Sequence, residues 1–236
     1  MLPGPVGGSN WVGGALHPDS GWLYIPSFTL PGRSQVGKID DADAHSAYEA
    51  FRQRWIHGPE GLPLTKPPYG RLTAIDLNTG EHMWQVAVGE GPIDHPALNG
   101  LDLPPLGRET LRHVVATPTL LFVTGEPALS WRGYDHDYYI DPEVVLRAYD
   151  LEDGRLVAEV DLPASPFGNP ITYIADGRQF IGLPVGGYGN FPEYIGLSIP
   201  RPGEKLPPQG YDRDDAEHSA YYSAVEIIDA GDTEQL

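Results

Sequence analysis

Ala74-Ile-Asp76-Leu-Asn-Thr79-Gly80-Glu-His-Met-Trp84 decides the fold, because it returns as Ala148-Tyr-Asp150-Leu-Glu-Asp-Gly154-Arg-Leu-Val-Ala158. The two stretches lie 74 positions apart (150 − 76) and share the order Ala-x-Asp-x-x-x-Gly. Each reads as a strand, a tight turn and a returning strand. Asp76 with Thr79-Gly80, and Glu152-Asp-Gly154 in the second copy, serve the hairpin turn. A strand–turn–strand unit that recurs at a fixed spacing marks a solenoid or a propeller.

Reading outward from these hairpins gives further short strands at turn-bounded intervals. Val12–Leu16 and Trp22–Ile25 flank the turn His17-Pro-Asp-Ser-Gly21. Val114–Thr117 and Leu120–Thr124 flank Pro118-Thr119, and Ile171–Ile174 and Gln179–Leu183 flank Ala175-Asp-Gly177. Tyr194–Ile199 and Val225–Ile228 read as later strands, the second at an edge. Gly186-Gly-Tyr-Gly189 reads as a flexible rim; it does not open a helix after a strand, so it is no nucleotide-binding turn. Two segments interrupt the pattern, 31–68 and 128–142, and both read as insertions. The first contains a helix candidate over Asp43–Trp55, with Ala47, Ala50, Phe51 and Trp55 on one face.

The expected class is therefore all-β: about three four-stranded antiparallel blades, a partial segment of a β-propeller spanning 1–200. Residues 201–236 read as a Pro-rich, acidic C-terminal tail. Four-stranded blades close into rings of four to eight. Three blades leave open edges that need covering by more chain or by a second polypeptide.

Composition agrees with a turn-rich β-protein and narrows its partners. Gly and Pro number 29 and 25 of 236 residues, without a collagen-like period. The net charge of −18 disfavours a nucleic-acid partner. With no cysteine there are no disulfides, thiolate–metal sites or cysteine nucleophiles. No apolar run approaches the ~20 residues of a membrane-spanning helix, and Met1–Gly8 lacks the basic and apolar regions of a signal peptide. Serine-hydrolase and P-loop spacings are absent. Asp135-His136-Asp137…Asp141 has metal-ligand chemistry, but an acidic insertion more simply reads as a solvated loop. His113, at the start of a blade, reads either as a contact to substrate or cofactor in the central channel or as a strand cap.

Five segments, in this order, resemble the pyrroloquinoline-quinone (PQQ)-dependent dehydrogenases, which are eight-bladed propellers that oxidise alcohols or sugars. They are Gly8-Ser-Asn10-Trp11-Val-Gly-Gly-Ala15; Pro68–Gly80; His95-Pro-Ala-Leu with Leu103-Pro-Pro-Leu-Gly107; Leu146-Arg-Ala-Tyr-Asp150; and Pro170-Ile-Thr-Tyr173 with Asp176-Gly177-Arg-Gln179. The third is similar to a connector of the membrane-bound glucose-dehydrogenase-like branch. The resemblance is to the C-terminal part of that family and runs to about Pro200.

The resemblance implies a periplasmic quinoprotein with PQQ and calcium as cofactors in the complete protein. There, calcium polarises the quinone C5 carbonyl, and a carboxylate base removes the hydroxyl proton as hydride is transferred. It implies that Asn10 and Trp11 are cofactor-binding, and it assigns no catalytic or metal-ligating residue to this chain. The ligands and the base would come from blades preceding the Asn-Trp segment, so the isolated chain is expected to be inactive. The plain alternative is an Asn turn beside a core tryptophan. Trp84 is expected to be structural, a docking tryptophan packed between blades with its indole N–H on a neighbouring backbone. The second hairpin departs from the motif, with Ala158 where Trp84 stands and Asp153 in place of Thr79. A non-catalytic propeller scaffold or interaction module is the alternative function.

Overall fold

The computed structural model describes residues 1–4, 7–125, 144–187, 190–199 and 226–227. The first sheet, in spatial order, is β1 (Ala15–His17), β2 (Trp22–Phe28), β5 (Gly70–Asp76) and β6 (His82–Ala87), all antiparallel. Period-2 burial along β2, with Tyr24, Pro26 and Phe28 inward, follows from strand geometry. All seven residues of β2 pair with β5, from Trp22↔Asp76 to Phe28↔Gly70.

Between β2 and β5 the chain makes a separate hairpin of β3 (Gly32–Lys38) and β4 (Tyr48–Trp55). This corrects the helix expected over 43–55. Tyr48–Trp55 runs in register with β3, from Lys38↔Tyr48 to Gly32↔Trp55, with one irregularity at Arg33/Gln35. The apolar spacing suits a helix, but backbone pairing to β3 outweighs that weak preference, and a strand rich in aromatics accepts the pairing readily. The amino terminus runs beside the base of this hairpin: the Met1 ammonium donates to Gly32 O at 2.7 Å, and Gly32 N donates to Met1 O at 3.1 Å.

The second sheet contains β7 (Arg112–Ala116), β8 (Leu120–Gly125), β9 (Val145–Asp150) and β10 (Leu156–Asp161), in that order. A two-residue strand, β14 (Glu226–Ile227), pairs on the far edge of β10. The third sheet is β11 (Ile171–Ala175), β12 (Arg178–Gly187) and β13 (Asn190–Leu197). The insertion expected at 128–142 and the tail over 200–220 lie outside the described residues.

Alternation builds two cores from one middle sheet. Leu121, Val123 and Tyr149 of the second sheet pack with Tyr24, Leu72, Ala74 and Val88 of the first. The intervening positions, Phe122 and Leu146, face the third sheet and meet Ile181, Leu183, Val185, Ile195 and Leu197. Successive sheets stacked through opposite faces is the packing from which a propeller is built.

Candidate functional site

The Asn10–Trp11 segment is a turn pinned at both ends to β2. Phe28 N donates to Gly8 O at 2.7 Å. A Cβ at Gly8 would stand 3.0 Å from Phe28 O, and one at Gly14 would stand 2.7 Å from Tyr24 O. The glycines here admit the backbone of β2. Between these anchors Gly13 N donates to Asn10 O at 3.0 Å, and Gly13 takes a φ of 75°. Asn10 Oδ1 accepts from Trp11 N at 2.8 Å. Trp11 is 99% exposed, so none of the described residues covers its ring.

This turn presents a planar aromatic ring next to a side-chain amide. Its Oδ1 accepts one bond from the backbone and has a second lone pair left, while the Nδ2 donors suit carbonyl or carboxylate oxygens. An indole face suits a flat conjugated ring. Both features fit a quinone bearing carboxylates. Among the described residues, no group of three or more His, Cys, Asp or Glu side chains could hold a metal ion, and Asp135–Asp141 lies outside them.

His113 is buried at 5% exposure, and its Nδ1 lies 2.8 Å from Asn169 Oδ1. It ties the second sheet to the segment entering the third. Gly186 and Gly187 belong to β12; Gly186 N donates to Ser165 O at 2.8 Å, and Gly187 pairs with Asn190. The expectation of a flexible rim at these two glycines is thereby corrected, because paired backbone extends the hairpin to its tip. Tyr188 and Gly189 lie outside the described residues.

Trp84 does what a docking residue should. Its Nε1–H donates to Leu151 O at 3.0 Å, across 67 positions of sequence, and its ring packs on Gly154. The hydroxyl of Tyr24 donates to the same carbonyl at 3.2 Å, and the two rings lie 5.6 Å apart at 37°. Burial, with Asp150 and Glu152 nearby, pushes the Tyr24 phenol up to about 12, so it stays protonated as a donor.

Sequence reading missed a buried acid. Glu109 lies between β6 and β7 at 7% exposure. Burial pushes its carboxyl up to about 7, opposed by its own backbone hydrogen bond and by Arg108. Burial raises the Tyr69 phenol as well, with the Glu109 charge adding to the effect. In the same junction Arg112 Nη2 donates to Val88 O at 2.9 Å. The available signal was charge density: Arg108, Glu109 and Arg112 immediately precede or open a buried strand.

A family model described as the glucose/ethanol/alcohol dehydrogenase β-propeller domain, designated PQQ, matches residues 1–181. The chain belongs to this family. It is 29% identical over 226 residues to a probable quinate dehydrogenase (quinone) of Xanthomonas campestris pv. juglandis, covering 84% of this chain and 27% of that protein. It is 31% identical over 230 residues to a quinoprotein glucose dehydrogenase of Gluconobacter oxydans (strain 621H), covering 84% and 26%. Among solved structures it is similar to quinohemoprotein alcohol dehydrogenase from Comamonas testosteroni, with a TM-score of 0.43, 21% identity, and coverage of 79% and 23%. The chain thus spans about a quarter of the length of these curated relatives. The all-β propeller class and the quinoprotein resemblance are established by the family match. PQQ is the cofactor implied for its full-length members. No helix among the described residues is long and apolar enough to cross a membrane.

Proposed function

We propose that this chain is the C-terminal portion of a PQQ-dependent dehydrogenase that oxidises a hydroxyl of a sugar or alcohol in the periplasm. The carrying observation is the family match across residues 1–181. The partial coverage of relatives named for quinate and glucose supports the second half of the proposal, that these 236 residues alone do not turn over substrate. The remaining blades, whether in the same polypeptide or a second chain, bring the calcium ligands and the base.

When bound, the quinone supplies a two-electron acceptor for the hydroxyl carbon. The contribution of this chain is positional. Asn10 would offer its amide donors to the carbonyl and carboxylate oxygens of the cofactor, and Trp11 would offer an aromatic surface to its conjugated ring. The turn that carries both is anchored to β2 beside Gly8 and Gly14, which fixes where its backbone lies.

Two measurements test this. Purified chain given PQQ, calcium and glucose, ethanol or quinate should reduce no dye; turnover would overturn the claim that the isolated chain is inactive. In a protein carrying this segment within its complete ring, Asn10→Ala should weaken quinone binding roughly tenfold, the loss of one or two hydrogen bonds to a charged rim. Unchanged affinity would remove Asn10 from the cofactor site.

A further inference from the structure

The chain has five asparagines, and they are held differently. Asn10 Oδ1 accepts from Trp11 N. Asn78 donates through Nδ2 to Ser20 O and to Asp76 Oδ1. Asn169 meets His113 through Oδ1 and precedes Pro170, which has no N–H. Asn190 pairs with Gly187 in the third sheet and precedes Phe191. Asn99 alone precedes a glycine. It is exposed, and its side chain makes no hydrogen bond among the described residues.

The backbone around Asn99 is an open surface turn. Asn99 follows the short 3-10 turn Pro96–Leu98, with φ −55° and ψ 133°, and its N–H donates to Pro96 O at 3.3 Å. Gly100 has a φ of 82°, and Leu101 N donates to Leu98 O at 3.1 Å. These are the angles of the two central residues of a type II turn. A Cβ at Gly100 would find no atom within 4 Å, and Gly100 N donates to no group among the described residues. Rotation about the Asn99 ψ therefore meets no packed neighbour. It brings Gly100 N toward Asn99 Cγ, and glycine has no side chain to crowd that nitrogen.

We propose that Asn99–Gly100 is a site of spontaneous deamidation. Gly100 N gives up its proton to a base in the solvent and attacks Asn99 Cγ. The new C–N bond closes a cyclic imide as Nδ2 leaves as ammonia. Water then opens either imide carbonyl, giving aspartate or an isoaspartate whose main chain runs through Cβ. Nothing is oxidised or reduced, and a neutral amide becomes a carboxylate. The site lies on the connector that clasps the 31–68 insertion. His95 Nδ1 accepts from Ala97 N at 3.1 Å, which leaves the proton on Nε2 to be donated to Glu60 O at 3.0 Å. An extra main-chain carbon at 99 breaks the turn that follows Pro96–Leu98, so isoaspartate loosens this clasp.

The test uses the full chain, aged in mildly alkaline buffer at body temperature. Ion exchange should resolve a species with one added negative charge, and an isoaspartyl methyltransferase should label the peptide containing residue 99 several-fold faster than those containing Asn10 or Asn78. Gly100→Ala and Asn99→Gln should each suppress both signals. Labelling at 99 no faster than at Asn78, or undiminished in Gly100→Ala, would overturn the proposal. So would label confined to Asp153-Gly154 and Asp176-Gly177, the chain's two Asp-Gly pairs, which form isoaspartate with no gain of charge. Amide exchange over 58–62, where Gly58 N donates to Leu62 O, should be several-fold faster in the aged species. Unchanged exchange there would overturn the link to the clasp.

Discussion

The hairpins β5–β6 and β9–β10 are built alike and used differently. Their turns match atom for atom at a spacing of 74. Asp76 Oδ1 accepts from Asn78 N at 2.7 Å, and Asp150 Oδ1 from Glu152 N at 2.8 Å. Gly80 N donates to Asp76 O, and Gly154 N to Asp150 O, with glycine φ values of 78° and 74°. Beyond the turns they diverge. The first hairpin sends Trp84 across the junction, and the second receives it, offering Leu151 O as acceptor and the bare face of Gly154 as seat. One repeat can thus be donor at one junction while its sequel is acceptor. The turn chemistry is local and must persist in each copy, whereas the docking residue is free to vary once another contact holds the next sheet. At the second junction those contacts include His113 with Asn169 and the core around Leu183.

The largest expected effect follows from removing the donor. Trp84→Ala takes away a half-buried ring and the bond to Leu151 O, and should lower unfolding stability by about 3 kcal/mol in denaturant titration. Ala158 shows that an alanine is tolerated at the equivalent position, but only where no seat awaits a ring. A loss under about 1 kcal/mol would mean the junction is held mainly by Tyr24 and the aliphatic core.

The first junction also contains a buried acid, and this gives it a pH dependence. Glu109 has a folded pKa of about 7, raised by burial above its ordinary value of 4.5. In that window the folded state binds more protons than the unfolded chain, so stability falls as pH rises from about 4.5 and levels off above about 7. The contribution is on the order of 3 kcal/mol, to be read as the difference in pH–stability curves between the native chain and Glu109→Gln. A native curve no steeper than that of the variant would place Glu109 in contact with water.

The seat and its counterpart give the next contrast. Gly154 needs a positive φ and has Trp84 against it, so that a Cβ would fall 2.7 Å from the ring; Gly80 has the same φ with nothing within 4 Å. Gly80→Ala should cost about 1 kcal/mol, the strain of a left-handed alanine. Gly154→Ala should cost about 2 kcal/mol or more, because the indole must also move. Equal costs would show that the ring shifts freely.

What was legible in the sequence was what is decided locally. The strands around Trp22, Leu72, Val114, Leu120, Leu146 and Ile171 follow from alternation and turn residues within a few positions. Trp84 as a docking residue was legible because a motif carries it. The strand at 48–55 was not: its apolar spacing fits a helix, and only its remote partner β3 decides otherwise. The exposure of Trp11 was equally hidden, since an indole between glycines reads as core or surface until the anchoring of Gly8 and Gly14 on β2 is known. Glu109 escaped because a charged run between two strands reads first as a solvated loop, and only the packing around it buries the carboxyl.

The smallest effect is expected where the two hairpins differ in letter but not in chemistry. Thr79 and Asp153 occupy equivalent positions. Thr79 Oγ1 accepts from Glu81 N at 3.2 Å, and Asp153 Oδ1 accepts from Arg155 N at 2.8 Å. Either side chain satisfies the amide two residues on, which is the turn's requirement; hydroxyl and carboxylate both meet it, the carboxylate with a shorter bond. Asp153→Thr should therefore change stability by less than about 0.5 kcal/mol, whereas Asp153→Ala, which leaves the amide to water, should cost up to about 1 kcal/mol. If Asp153→Thr proved as costly as Asp153→Ala, the carboxylate would have a duty beyond the turn, and the equivalence of the two hairpins would end at their glycines.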